Sequence, residues 1–317
     1  MKIKHRKSFI CGIKSTKLTQ SEYLFIKKNK PWGVILFERN IKNINQTKKL
    51  TNSIKKIFKD PNYPILIDEE GGRVSRLKNI VDNSIFSANY FGDILNKKNK
   101  KFNLYYQVYI DQISYVLNLI GVNINTVPVL DLRRKYSHNI IGDRAYSNNK
   151  KIIDKIGNIT INSFNQNRLG TVIKHIPGHG LSRKDTHHKL PYIKKKLDYL
   201  EKNDFNLFKK KSSFFAMTAH IVFETLDKYD CITHSKNGID YIRNKIGFKN
   251  LIITDDISMK ALKYSFKENI QKAFKAGCNL VLHCNGNIKE MHQLARISPK
   301  VNKFIVKKTS EFYNLLS

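Results

Sequence analysis

Cysteine is scarce in this 317-residue chain, with four residues (Cys11, Cys231, Cys278 and Cys284) and no Cys-x-x-Cys pair among them. That excludes a disulfide scaffold and the tight ligand clusters of a structural zinc site, and it fits a reducing compartment. No apolar stretch approaches the roughly 18–20 residues that a membrane span needs. No proline-, serine- or glycine-rich linker divides the chain, and no short period runs through it, which excludes coiled-coil, collagen-like and mucin-like classes. Acidic residues are few: 25 Asp and Glu stand against 58 Lys and Arg, a formal charge of +33.

What is present is an ordinary globular mixture, 41% hydrophobic and 26% charged, long enough to bury a sizeable core. The N-terminus is basic, but the apolar segment after it is too short for a signal peptide and no small-residue cleavage site follows. The protein is therefore expected to be cytoplasmic. Only 11 of the 58 basic residues are Arg, and Lys is spread over nearly every segment. Nucleic-acid readers prefer Arg for bidentate contacts and concentrate charge on one face. A solvated Lys coat is the better reading, with no specific nucleic-acid partner and no membrane partner expected.

Short β-like runs recur in the order Phe9–Ile13, Gly33–Phe37, Ile65–Asp68, Asn123–Leu130, Thr171–His175, Phe215–His220, Leu251–Asp255 and Leu280–His283. Several are rich in Val, Ile and Leu without strict alternation, as parallel strands buried on both faces should be. Helical patterns lie between them. Thr19 and Glu22 have capping-box spacing, and Leu50, Ile54, Ile57 and Phe58 share one helical face. Tyr105–Leu119 reads as a long helix, and Ala261–Ala276 as a helix closed by Gly277. Eight strands alternating with helices predict an α/β fold, a single-domain (β/α)8 TIM-type barrel over residues 1–317 whose strands need not all be regular. An open doubly wound sheet is the alternative. A nucleotide-binding version of it should carry a glycine-rich first turn, and the residues after Gly12 lack one.

Polar clusters follow the C-terminal ends of these strands, where barrel active sites are built. Asp68-Glu69-Glu70-Gly71-Gly72-Arg73 follows the third, with Arg76 just beyond. Asp131 ends the fourth, and Gly142-Asp143-Arg144 lies later in its loop. The fifth leads into Lys174-His175-Ile176-Pro177-Gly178-His179-Gly180 and then Asp185-Thr186-His187-His188. Ala219-His220 ends the sixth and Thr254-Asp255-Asp256 the seventh. A charge run on a surface would not repeat this register on successive strands.

A metal site is disfavoured, because the first strand offers no His-x-His pair and Lys174 stands beside His175. A serine nucleophile is disfavoured by the lack of a Gly-x-Ser-x-Gly elbow. The remaining design is a carboxylate nucleophile with a histidine proton donor, beside groups suited to polyhydroxylated substrates. Asp68, Arg76, Arg144, Lys174 and His175 can all hydrogen-bond sugar hydroxyls or an acylamino group. Asp185 can orient the His187 imidazole and stabilise its protonated form. Taken alone, Asp185/His187 would be an ordinary loop pair and Asp255-Asp256 a helix cap.

The segments Ile-Asp-Glu-Glu-Gly-Gly-Arg-Val-Ser-Arg-Leu, Lys-His-Ile-Pro-Gly-His-Gly with its downstream Asp-Thr-His, and Thr-Asp-Asp-Ile-Ser-Met resemble family 3 glycoside hydrolases. Within that family they are most similar to the bacterial cytoplasmic β-N-acetylglucosaminidases of peptidoglycan recycling. The likeness runs from about Gly12 to Gly286 in the family's order. It implies Asp255 as nucleophile, His187 as acid/base and Asp185 as its partner. It places Asp68, Arg76, Arg144, Lys174 and His175 around a non-reducing N-acetylglucosamine. It also implies a retaining mechanism with no metal or other cofactor, a small glycan substrate (a muropeptide), and a monomer. The sequence departs from the pattern at Thr186, where Ser is usual, at Glu69, where Gln is common, and at Thr218, where Pro often stands. Arg183 and Lys184 make the His187 loop unusually basic. A phosphorylase using the same covalent intermediate is the nearest rival, and a basic nucleic-acid-binding protein is the rival from another class.

Overall fold

The strands and helices follow from local sequence in a way that fixes which ends carry the site. A computed structural model of the chain describes residues 2–134, 141–182 and 190–317. Eight parallel strands close into a barrel: β1 (Lys7–Gly12), β2 (Pro31–Leu36), β3 (Ile65–Ile67), β4 (Ile124–Asn125), β5 (Gly170–Ile176), β7 (Phe215–Thr218), β9 (Leu251–Asp256) and β10 (Leu280–His283). Their order around the barrel is β1-β10-β9-β7-β5-β4-β3-β2. Outside it, β6 (Tyr192–Ile193) and β8 (Val222–Phe223) pair as a separate two-stranded sheet.

Helices cover the barrel: α1 (Gln20–Asn29), α2 (Ile44–Phe58), α3 (Ala88–Asn96), α4 (Phe102–Leu119), α5 (Lys150–Gln166), α6 (Leu197–Lys202), α7 (Lys236–Tyr241), α8 (Phe266–Ala276), α9 (Ile288–Ile297) and α10 (Lys303–Leu316). The predicted capping box of α1 is present, with Thr19 and Glu22 bonded reciprocally. The asparagine-rich composition has a structural use. Asn43, Asn149, Asn287 and Asn302 each accept an N–H from the first turn of α2, α5, α9 and α10.

Two apolar clusters hold the molecule together. One lies between strands and helices, with Cys11, Val34, Ile67, Ile173 and Ile252 facing α1, α2, α4 and α5. The other fills the barrel with Ile10, Ile35, Leu66, Ile124, Val172, Phe215, Ile253 and Leu282, and α10 plugs its lower end through Phe312. Alternate residues of each strand thus point to opposite sides, and both sides are buried. That explains the continuous apolar runs in the sequence.

Two expectations need correction, and one element is new. The fourth strand is regular only at Ile124–Asn125, instead of Asn123–Leu130; beyond it the chain contacts β5 through an isolated Val129–Lys174 bridge. The helix read over Ala261–Ala276 begins at Phe266, because Ser265 and Glu268 form a capping box that sets its start. Helix α3, begun by the Ser87 hydroxyl, was not foreseen. All four cysteines are free, three of them buried. Among the described residues, no helix is long and apolar enough to cross a membrane.

Candidate active site

The strand alternation that fills the barrel also builds the cleft above it. Two residues beyond Leu66, Ile124, Val172 and Ile253, the last inward apolar positions of their strands, stand Asp68, Thr126, Lys174 and Asp255. Phe37, Met217 and Cys284 occupy the equivalent places after Ile35, Phe215 and Leu282. Together with Arg76, Arg144, His175 and His179 they line a cleft of about 310 Å³ at the C-terminal ends of the strands. Apolar side chains therefore form the floor, and the first polar layer is the site.

Five charged groups interlock on one side of it. Arg76 Nη2 donates to Asp68 Oδ2 at 3.0 Å, and Thr126 Oγ1 donates to Asp68 Oδ1 at 2.5 Å. Lys174 Nζ bonds the same Asp68 oxygen and reaches Glu70 Oε1 at 2.6 Å. Arg144 grips Glu70 with both arms, Nε to Oε2 at 2.7 Å and Nη2 to Oε1 at 2.8 Å. Burial pushes the Asp68 carboxyl up, but Lys174, Arg76 and Arg144 outweigh it and hold the group well below the usual carboxylate range. Glu70 is likewise raised by burial and lowered further by Arg144 and Lys174. Burial lowers Lys174, but Asp68 and Glu70 more than restore its proton. Asp68, Glu70, Lys174 and Arg144 thus hold one another in their charged forms.

The loop joining Asp68 to Arg76 requires glycine. Gly71 has φ +79°, and a Cβ there would lie 2.3 Å from the Phe86 carbonyl oxygen. Arg76 and Arg39 both lie over the Phe37 ring, at 5.5 and 4.7 Å from its centroid.

On the other side, Asp131 is fully buried and organises the turn after β5. It accepts His175 Nδ1 at 2.7 Å and the His179 N–H at 2.6 Å. Lys174 and His175 both face the cleft, and the peptide bond between them is cis. Burial and the neighbouring His175 push His179 down to about 4. His220 donates Nε2–H to the Asp256 carbonyl at 3.1 Å, so its Nδ1 accepts from the Thr233 hydroxyl at 2.7 Å. Thr218 bonds the same hydroxyl at 2.8 Å, so the polar residue at that position is satisfied.

The two adjacent carboxylates have different surroundings. Asp256 is committed to the following turn: it accepts the Ser258 hydroxyl at 2.8 and 2.9 Å and the Cys284 N–H at 3.2 Å. Asp255 continues the inward register of β9 and accepts only the Asp256 N–H, at 2.8 Å, within the described hydrogen bonds. Burial raises its carboxyl, but His175, His220, that N–H and Lys174 hold it below the usual range. It is an ionised carboxylate with lone pairs directed at the cleft, as a nucleophile requires. Arg76 Nε and His179 Nδ1, also at the cleft, are buried without a partner among the described residues.

Asp68, Arg76, Arg144, Lys174, His175 and Asp255 are thus brought together. Asp185 and His187 lie outside the described residues. Sequence reasoning passed over Glu70 and Thr126 and left Asp131 without a role. Glu70 stood beside Asp68 and Asp131 at a strand end, but their partners are 74 and 44 positions away and no sequence spacing joins them. Among the described residues, no group of three or more His, Cys, Asp or Glu is arranged to hold a metal ion.

A closed parallel barrel with a buried carboxylate and an interlocked ion cluster at its C-terminal face is an architecture that glycosidases use. The chain belongs to glycosyl hydrolase family 3, whose N-terminal domain it matches over residues 8–309, and it is a glycoside hydrolase. Among its relatives is a β-hexosaminidase of Nitrosomonas eutropha, 31% identical over 282 residues, covering 86% of this chain and 79% of that one. Another, from Neisseria meningitidis, is 30% identical over 285 residues, covering 87% and 77%. The structure of NagZ from Neisseria gonorrhoeae in complex with N-trifluoroacetyl-D-glucosamine superposes with a TM-score of 0.86 at 26% identity, covering 97% of this chain and 90% of that one.

Proposed function

We propose that this enzyme is a retaining exo-β-N-acetylglucosaminidase that removes non-reducing terminal N-acetylglucosamine from β-1,4-linked peptidoglycan fragments, acting as a cytoplasmic monomer in cell-wall recycling. The β-hexosaminidase relatives support the sugar. The observation that carries the chemistry is Asp255, ionised and inward-facing, across the cleft from the Asp68–Glu70 ion cluster.

In the first step Asp255 attacks the anomeric carbon while His187 protonates the leaving oxygen, giving a glycosyl-enzyme. His187 then takes a proton from water, which attacks the same carbon and releases the sugar with its configuration retained. Asp185 orients His187 and stabilises its cation. Asp68, Arg76, Arg144, Lys174 and His175 hold the sugar. Most retaining glycosidases use a second carboxyl as the acid; an imidazole with a near-neutral pKa serves both halves of the cycle.

The test is incubation with a chromogenic β-N-acetylglucosaminide and with a muropeptide fragment, wild type beside Asp255→Ala. Release of N-acetylglucosamine by the wild type alone is expected, with the variant folded and inactive. Residual turnover in the variant would remove Asp255 from the role. Sugar 1-phosphate formed in phosphate buffer would make the enzyme a phosphorylase.

A further inference from the structure

The loop after β3 carries a carboxyl that the proposed reaction does not use. Glu69 is 2% exposed and lies between the two carboxylates of the ion cluster, yet its partners are of another kind. Its Oε2 gathers three donors: the Arg76 N–H at 2.5 Å, the Leu77 N–H at 3.0 Å and the Ser75 hydroxyl at 3.2 Å. Its own main chain is fixed by Asn125, which accepts the Glu69 N–H at 3.1 Å and donates to its carbonyl at 2.9 Å. One side chain therefore ties the end of β3 to the turn bearing Arg76, across the intervening glycines.

We propose that Glu69 is a positioning residue for substrate binding: by clamping the Ser75–Leu77 turn it sets the Arg76 guanidinium against Asp68 and into the cleft. The inference rests on the reading of Arg76 as a sugar contact.

Four donors around Glu69 favour its anion and burial favours the neutral acid, which one change in its surroundings accommodates. Asn83 Nδ2 lies 3.5 Å from Oε1, while Oδ1 of the same amide is buried without a partner among the described residues. Turning that amide presents Oδ1 to a proton on Oε1, leaving Oε2 free to accept its three donors. Burial pushes Glu69 up to about 7, against the opposing pull of Arg76, Leu77, Ser75 and Asn83. The other titratable group facing it is Tyr109 of α4, which burial keeps neutral. Asp68 and Glu70 are occupied by Arg76, Lys174 and Arg144. A proton bound more tightly in the closed turn must favour that turn. Ionisation favours an opened turn in which water reaches the carboxylate and Arg76 loses its alignment.

The test compares KM and kcat of wild type, Glu69→Gln and Glu69→Ala on a chromogenic β-N-acetylglucosaminide. Between about pH 6 and 8 the wild-type KM should rise several-fold, while the Glu69→Gln value, with a permanently neutral amide, stays near the wild-type value at about pH 6. Glu69→Ala should raise KM about tenfold at low pH, with a smaller change in kcat, because three donors lose their acceptor. Superimposable KM profiles of wild type and Glu69→Gln would overturn the proposal, as would an unchanged KM in Glu69→Ala. If Glu69→Ala does not fold, the Gln comparison decides alone. Infrared difference spectra of wild type against Glu69→Gln need no substrate. A protonated carboxyl band at about pH 6 that disappears by about pH 8.5 is expected even if the glycan assignment fails, and an ionised Glu69 at low pH would overturn the clamp.

Discussion

Replacing Glu70 by Gln should unbalance the cleft more than any loss of shape would. The two residues have the same volume, and the carboxylate is almost fully buried, at 3% exposure. Wild-type Glu70 holds Lys174 at 2.6 Å and both arms of Arg144 at 2.7 and 2.8 Å. At an effective dielectric of about 20, each such contact is worth on the order of 4–6 kcal/mol before desolvation, which consumes most of it. Removing the anion leaves much of the desolvation of Lys174 and Arg144 uncompensated, with Asp68 still bonded to Lys174 and Arg76. The expected loss is about 3–5 kcal/mol, the usual cost of breaking a buried ion pair on one side.

The pH dependence gives the sign. Glu70 has its pKa lowered in the fold, so its contribution is present above the ordinary Glu value of about 4.5 and disappears as pH falls through the folded value. The stability gap between wild type and Glu70→Gln, read from urea unfolding, should therefore be full at neutral pH. It should narrow as the solution is acidified below about 4. In thermal scans at neutral pH, the gap corresponds to a Tm lower by several degrees, at about 2 °C per kcal/mol for a large domain. Equal urea midpoints at neutral pH would refute the reasoning, because the ion cluster would then carry no net energy.

Two further outcomes are expected. Arg144→Lys keeps the charge but not the fork that meets Glu70, so KM should rise by about tenfold with kcat less affected; an unchanged kcat/KM would place Arg144 outside the sugar site. His187→Ala should lose far less activity on a nitrophenyl glycoside than on an unactivated disaccharide, accumulate glycosyl-enzyme on Asp255, and respond to azide. Equal losses on both substrates with no trapped intermediate would transfer the acid/base role to His179 or His188.

The parts of the site that were legible in the sequence are those set by strand periodicity. Ile253 and Asp255, Leu66 and Asp68, and Val172 and Lys174 are spaced by two on strands whose apolar runs announce burial, so the polar residue at the end of each run had to face the cleft. Glu70 and Asp131 were opaque for a different reason. Their partners are other protein groups, brought close only by barrel closure. Helix α3 escaped notice because Gly92 and two asparagines weaken its helical signal, and Gly92 is there for packing: a Cβ would lie 1.6 Å from the Tyr146 carbonyl oxygen. Ala261–Tyr264 misled in the opposite direction, since Ala, Leu and Lys are good helix formers but the capping box at Ser265 sets the boundary.

The barrel closes by pairing β1 with β10, and below that seam Arg6 Nη1 donates to Tyr313 at 3.0 Å across 307 positions of sequence. During synthesis, β1 therefore waits with an unpaired edge until β10 has emerged, and β9, bearing Asp255, joins only one strand earlier. A ribosome-bound chain short of β10 exposes two strand edges to its neighbours, the state from which β-proteins aggregate. Topological closure and completion of the reacting centre thus coincide, both waiting on β10. A chain that lacks β10 leaves Asp255 on an edge strand of an open sheet, outside a closed cleft.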